Sequence, residues 1–151
     1  MLLRLVHIVG ACVLLGTGAG IAFFMWVANR TGEVGTIAAT ARIVVIADIV
    51  FTATAIVMQP ISGAALAWMT GTSALAPWLV ASFALYLLAG LCWLPVVWIQ
   101  VKLRDLAAEA QAAGLPLPGR YQRLFRIWFV LGWPAFAAVI AILILMIAKP
   151  I

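Results

Sequence analysis

Charge is what this chain has least of. Lys, Arg, Asp and Glu make up 9% of 151 residues, hydrophobic residues make up 68%, and mean hydropathy is +1.24. A soluble domain cannot carry that much apolar surface, because its outside must face water. The composition predicts an integral membrane protein, one domain with no soluble module. Histidine is rarer still. His7 is the sole one, so one chain cannot supply the two histidine ligands of a cytochrome haem. The two cysteines, Cys12 and Cys92, form no CxxC, and their number excludes a four-cysteine metal site. Both fall in apolar stretches and read as buried free thiols. GxxxxGK[ST], HExxH and a Ser-His-Asp set are all missing. The net charge of +5 would suggest nucleic acid in a soluble protein. Here the basic residues lie between apolar spans, where they set orientation instead, and no nucleic-acid partner is expected.

What the chain does have is long apolar runs. A membrane helix needs roughly 20 such residues, and the sequence predicts an all-α fold, a bundle of four transmembrane helices. The expected spans are about 2–28, 43–69, 77–101 and 124–148. The first is too long for the apolar core of a signal peptide and reads as a retained span. Gly16 and Gly20 give it a GxxxG spacing suited to close packing. Residues 29–33 read as a loop. Pro60, Pro95 and Pro134 fall inside spans two, three and four and are expected to kink them. Pro77 suits a first helical position. Leu106–Ala113 is helix-prone and ends at Gly114. Four spans place both termini on one side. The opposite side carries Arg30, Arg42, Lys102, Arg104, Arg120, Arg123 and Arg126, whereas the terminal side carries only Arg4 and Lys149. That bias places the two loops in the cytoplasm and His7 near the outer face.

Few residues are candidates for chemistry. An imidazole buried without a partner in lipid is costly, and a neutral one is a good ligand for haem iron. His7 is therefore either an axial ligand or an interfacial histidine bonded to a backbone carbonyl. Asp48 is an ionisable group inside the hydrophobic layer and calls for a partner; Arg126 is the first candidate, Arg42 the second. The pair would be a structural bridge or part of a proton relay. Seven tryptophans suit interface anchoring, with Trp93 and Trp133 deep enough to wall a flat ligand. By depth, Met69 and Met146 approach the His7 side and are candidate second ligands to the iron.

Six motifs occur in order: Arg4-Leu5-Val6-His7-Ile8, Ala47-Asp48-Ile49-Val50-Phe51-Thr52, Met58-Gln59-Pro60-Ile61-Ser62-Gly63, Trp93-Leu94-Pro95-Val96-Val97-Trp98, Phe125-Arg126-Ile127-Trp128 and Met146-Ile147-Ala148-Lys149-Pro150. Together they resemble the bacterial domain-of-unknown-function family 2269, small predicted integral membrane proteins. A more distant resemblance is to HemJ-type protoporphyrinogen oxidases and to copper-resistance D-like membrane domains, which open span one with a basic residue and a Leu/Ala-Leu-His-Ile motif. The HemJ type also has Phe-Arg before its last span and Lys-Pro after it. The glycine-aromatic-tyrosine-arginine pattern that follows the HemJ histidine is absent, as is a match for its third-span lysine. The resemblance implies haem b, with His7 as axial ligand and Arg126 and Lys149 as matching basic positions; Arg4 or Lys149 would meet the propionates. The expected function is haem b binding for electron transfer or haem handling, with a quinone as possible partner and a membrane oxidoreductase activity left open. The setting would be the bacterial inner membrane, with both termini periplasmic and a homodimer able to share one haem between two His7 side chains. The alternatives are a non-catalytic structural or assembly subunit, and a small transporter or metal-handling protein.

Overall fold

The computed structural model describes residues 1–149. Its elements are α1 (Leu2–Thr31), α2 (Val34–Ala47), a π-turn (Asp48–Thr52), α3 (Ala53–Met69), α4 (Pro77–Ala113) and α5 (Gly119–Ala148). The π-turn joins α2 and α3 end to end. The result is four helices long and apolar enough to cross a membrane. Successive helices are antiparallel, so the start of α1 and the end of α5 share one end, the terminal end. The connections Gly32–Glu33 and Gly114–Pro118 lie at the other, the loop end.

Local chemistry explains where the helices stop. Asn29 and Thr31 donate side-chain hydrogen bonds to the carbonyls of Met25 and Ala28, and the first helix takes up the first three residues of the stretch expected to be a loop, leaving Gly32 and Glu33 as the connection. It ends at Gly32, whose φ of 68° suits a residue without a Cβ. Lys102, Arg104 and Asp105 do not break α4 either. The helix-prone alanine segment continues it to Ala113, and Gly114 closes it at φ 65°. Pro77 starts α4 as expected. The helices continue through Pro60, Pro95 and Pro134. Span two also carries the π-turn. There the Ala53 N–H reaches back five residues to the Asp48 carbonyl, so one extra residue is accommodated.

Packing is concentrated at the loop end. Met25, Ile37, Ala41, Leu103, Ala107 and Tyr121 are almost fully buried there, with Trp128 beside them. Lipid gives no hydrophobic drive to bring helices together, so small residues that let backbones approach decide where contact is tight. Ala28, Ala38, Ala41, Ala107 and Ala110 supply them, and all are buried. The large side chains of the outer faces, among them Leu5, Phe23, Ile43 and Leu91, are exposed, as suits contact with acyl chains.

Basic groups over indole rings mark two levels across the bundle. Arg30 lies over Trp26 and Lys102 over Trp98 at the loop end; Lys149 lies over Trp78 at the terminal end. Such pairs suit the membrane–water interface. Trp78 and Trp98 are separated by about 30 Å of helix, the thickness of a hydrocarbon layer.

Candidate functional site

Two polar junctions hold the helices together; the first lies within the motifs identified above, and the second adds Gln100 and Val44, which lie outside them. The first ties α1 to α3. His7 Nδ1 lies 2.8 Å from Ser62 Oγ. Ser62 Oγ also lies 2.7 Å from the Met58 carbonyl and 3.2 Å from that of Gln59, to which it donates. A hydroxyl has one proton. With that proton on the backbone, Ser62 Oγ accepts from Nδ1–H, and His7 keeps a lone pair on Nε2. Gln59 Nε2 donates to the His7 carbonyl at 2.9 Å.

Two glycines make this contact possible. A Cβ on Gly10 would stand 2.7 Å from Gln59 Nε2, and one on Gly63 would stand 3.3 Å from His7 Cε1. The close approach expected of Gly16 and Gly20 does not occur within the chain. A Cβ on Gly16 would meet nothing within 4 Å, and one on Gly20 would meet only Phe24 of its own helix. The glycines that matter are those one turn from the polar side chains.

Pro60 sits inside this junction. Having no N–H, it leaves the carbonyl of Ile56 without its helical donor. Tyr86 of α4 donates its phenolic O–H to that oxygen at 2.5 Å. A sequence reading that follows charged and ligating residues passes over Tyr86. The signal was available, since an intramembrane proline strands the carbonyl four residues earlier and some donor must reach it.

The second junction ties the π-turn to α4 and α5. Gln100, 2% exposed, donates to the Val44 carbonyl at 3.4 Å and accepts from Trp128 Nε1 at 3.2 Å. Two turns earlier on the same face of α4, Trp93 Nε1 donates to Asp48 Oδ1 at 3.4 Å. Asp48 is buried, but the expected arginine partner is not there. Among the described residues the one ion pair joins Arg104 to Asp105, and Arg126 is exposed. The reason is geometric. The side of the helix that carries Asp48 faces the indole of α4, whereas Arg42 and Arg126 point outward to the bundle surface.

The other expected residues are dispersed. Arg4 is exposed at the terminal end, and Lys149 is exposed and engaged over Trp78. Arg126 belongs to the opposite end of α5, about 33 Å of helix from Ala148, and is not brought to His7. Met146 is half-buried, whereas Met69 is exposed and follows Ser62 by two turns, about 10 Å along α3. Trp133 packs edge-on against Phe129. Cys92 is half-buried, but Cys12 is exposed on the outer face of α1, against the expectation of two buried thiols; both are free. Among the described residues no three His, Cys, Asp or Glu side chains gather as a cage for a bare metal ion.

Four apolar helices tied by buried polar side chains define a polytopic membrane protein. The chain belongs to domain-of-unknown-function family 2269, described as predicted integral membrane proteins, whose family model matches residues 1–150. No match was found among curated proteins or among solved structures.

Proposed function

We propose that this membrane protein binds haem b at its terminal end, with His7 Nε2 as an axial ligand. The observation that carries the reading is the 2.8 Å contact between His7 Nδ1 and a Ser62 hydroxyl that itself lies within bonding distance of the α3 backbone. A ligating histidine is held by a hydrogen bond from its other ring nitrogen, which fixes both tautomer and ring orientation. Ser62 performs that role for Nδ1, and its own proton is committed to the backbone of α3. Porphyrin brings its own four nitrogens, so a single protein donor is compatible with haem, whereas a bare metal ion would need a cluster. When bound, haem supplies one-electron chemistry.

The chain's residues would then divide the work. His7 holds the iron, Ser62 and Gln59 fix the helix turn that presents it, and Arg4 offers its charge to the propionates, as does Lys149 once it leaves Trp78. The sixth position falls to Met146, to Met69, or to His7 of a second copy in a homodimer, and a quinone is a suitable electron partner. Seven basic residues at the loop end against two at the terminal end support cytoplasmic loops, periplasmic termini and residence in a bacterial inner membrane.

The test is an absorption spectrum of the purified protein, oxidised and reduced. A Soret band that His7→Ala abolishes and Ser62→Ala weakens or shifts is the expected result. A band unchanged in His7→Ala, or no band after haem is supplied during expression, overturns the reading.

One observation favours a second reading. Nδ1 and the backbone carbonyl of His7, the Ser62 hydroxyl and Gln59 Nε2 all take part in hydrogen bonds within the chain. That suits a non-catalytic assembly subunit, in which the junction serves only to lock α1 to α3. It predicts a colourless protein that co-purifies with a larger complex.

A further inference from the structure

We infer that the loop end carries a binding site for the phosphate headgroup of an anionic membrane lipid, in the cleft between α2 and α4 that Arg42 and Arg104 flank. The cleft has a volume of about 560 Å³. Ala38 and Ala108, one from each helix, keep its floor low, and Gln111 lies at its outer end.

Charge within the chain does not satisfy Arg42. The protein has four carboxylates. Asp48 is bonded to Trp93, Asp105 to Arg104, and Glu33 accepts from Thr36; Glu109 lines a different hollow, beside Pro116 and Pro118. Arg42 has no hydrogen-bond or ion-pair partner among the described residues. Arg104 commits its Nε and one terminal nitrogen to a single oxygen of Asp105. A guanidinium carries five donors, so the other terminal nitrogen can still serve an anion.

Depth identifies the source of that anion. The Gln100–Val44 contact sets the antiparallel register of α4 against α2 and places Arg42 level with Lys102. That level is one turn, about 6 Å, outside the Trp98 ring that marks the edge of the hydrocarbon layer. Lipid phosphates occupy this layer. On the hydrocarbon side of Arg42, the next residue of α2 is Ile43, which is exposed and suits the first methylenes of an acyl chain. A free phosphate would gain nothing from that side chain.

The full-length protein in neutral detergent is titrated with phosphatidylglycerol or with phosphatidylcholine of the same acyl chains, and lipid-bound species are counted by native mass spectrometry. Phosphatidylglycerol is expected to bind in preference, and Arg42→Gln to weaken it roughly fivefold, the usual worth of one basic residue near a charged membrane surface. Asp105→Asn is expected to tighten binding, because it frees Arg104 and removes a negative charge from the cleft. Arg123→Gln, a basic change at the same end but outside the cleft, is expected to have no effect. Equal binding of the two lipids overturns the inference. So does an Arg123→Gln loss equal to that of Arg42→Gln, which would indicate diffuse charge. Displacement of the lipid by millimolar inorganic phosphate would reassign the cleft to a soluble anion and overturn the lipid assignment.

Discussion

Tyr86 donates its phenolic hydrogen to the carbonyl oxygen of Ile56, the one acceptor that Pro60 deprives of its helical donor. A proline in one helix and a tyrosine in another therefore act as a pair. Tyr86→Phe is expected to destabilise the protein by about 1 kcal/mol, within the range for hydrogen bonds between membrane helices. In a Pro60→Ala background the restored N–H supplies the missing donor, and the same Tyr86→Phe change should cost much less. Unfolding in mixed detergent micelles, run as a double-mutant cycle, measures the coupling. Additive effects would refute the pairing.

The His7 tautomer can be read directly. Nitrogen NMR of ring-labelled protein without added haem should show the proton on Nδ1 and a lone pair on Nε2. Ser62→Ala should let the proton redistribute between the two nitrogens. A wild-type ring protonated on Nε2 would contradict donation from Nδ1 to Ser62.

Gly10 and Gln59 should behave as one unit. The Cβ introduced by Gly10→Ala reaches the far end of a flexible side chain, so the glutamine swings aside and the bond to the His7 carbonyl is lost. The cost should be about 1 kcal/mol, and adding Gln59→Ala should change little more. Gly63→Ala presses on the His7 ring instead. It is expected to cost about 1–3 kcal/mol, as overpacking does. Thermal unfolding of the three variants separates the two mechanisms.

Asp48 has an indole for a partner and no arginine. Asp48→Asn keeps an acceptor for Trp93 Nε1 and should cost no more than about 1 kcal/mol, the net worth of one hydrogen bond. Arg126→Gln combined with it should be additive. A buried ion pair would behave differently, since removing one charge strands the other at a cost of several kcal/mol. Gln100→Leu should be the more damaging change, because it leaves the Trp128 N–H without its acceptor.

The four helices were legible because apolar length and breaker residues are one-dimensional signals. The motifs around His7, Asp48 and Gln59–Gly63 were also legible as places where polar groups enter an apolar chain. Their pairing was not. Which side chains meet depends on the direction each helix face points, and a π-turn changes that direction part-way along α2–α3 without a glycine or proline to announce it. Gly16 and Gly20 fit a spacing rule, yet polar neighbours decide where helices close up, at Gly10 one turn from His7 and at Gly63 beside Ser62. Asp48 was expected to seek a formal charge, whereas the low-lying indole of Trp93 was the donor within reach.

The extra residue held at Asp48–Thr52 also shifts the sequence by one place against the helix faces. Upstream of it the long helix offers the Val44 carbonyl and Asp48 to α4, and downstream it offers Gln59 and Ser62 to α1. The extra residue is absorbed within these five, so excising one there, Val50 for instance, would let the backbone relax into regular turns while the segments on either side keep their facing. Ser62 would stay at the imidazole. The same excision in regular helix, at Val57 for instance, would swing everything beyond it by about 100° and carry Ser62 away from His7. A residue can therefore be lost from this greasy stretch at less cost to the bundle than from the turns that flank it.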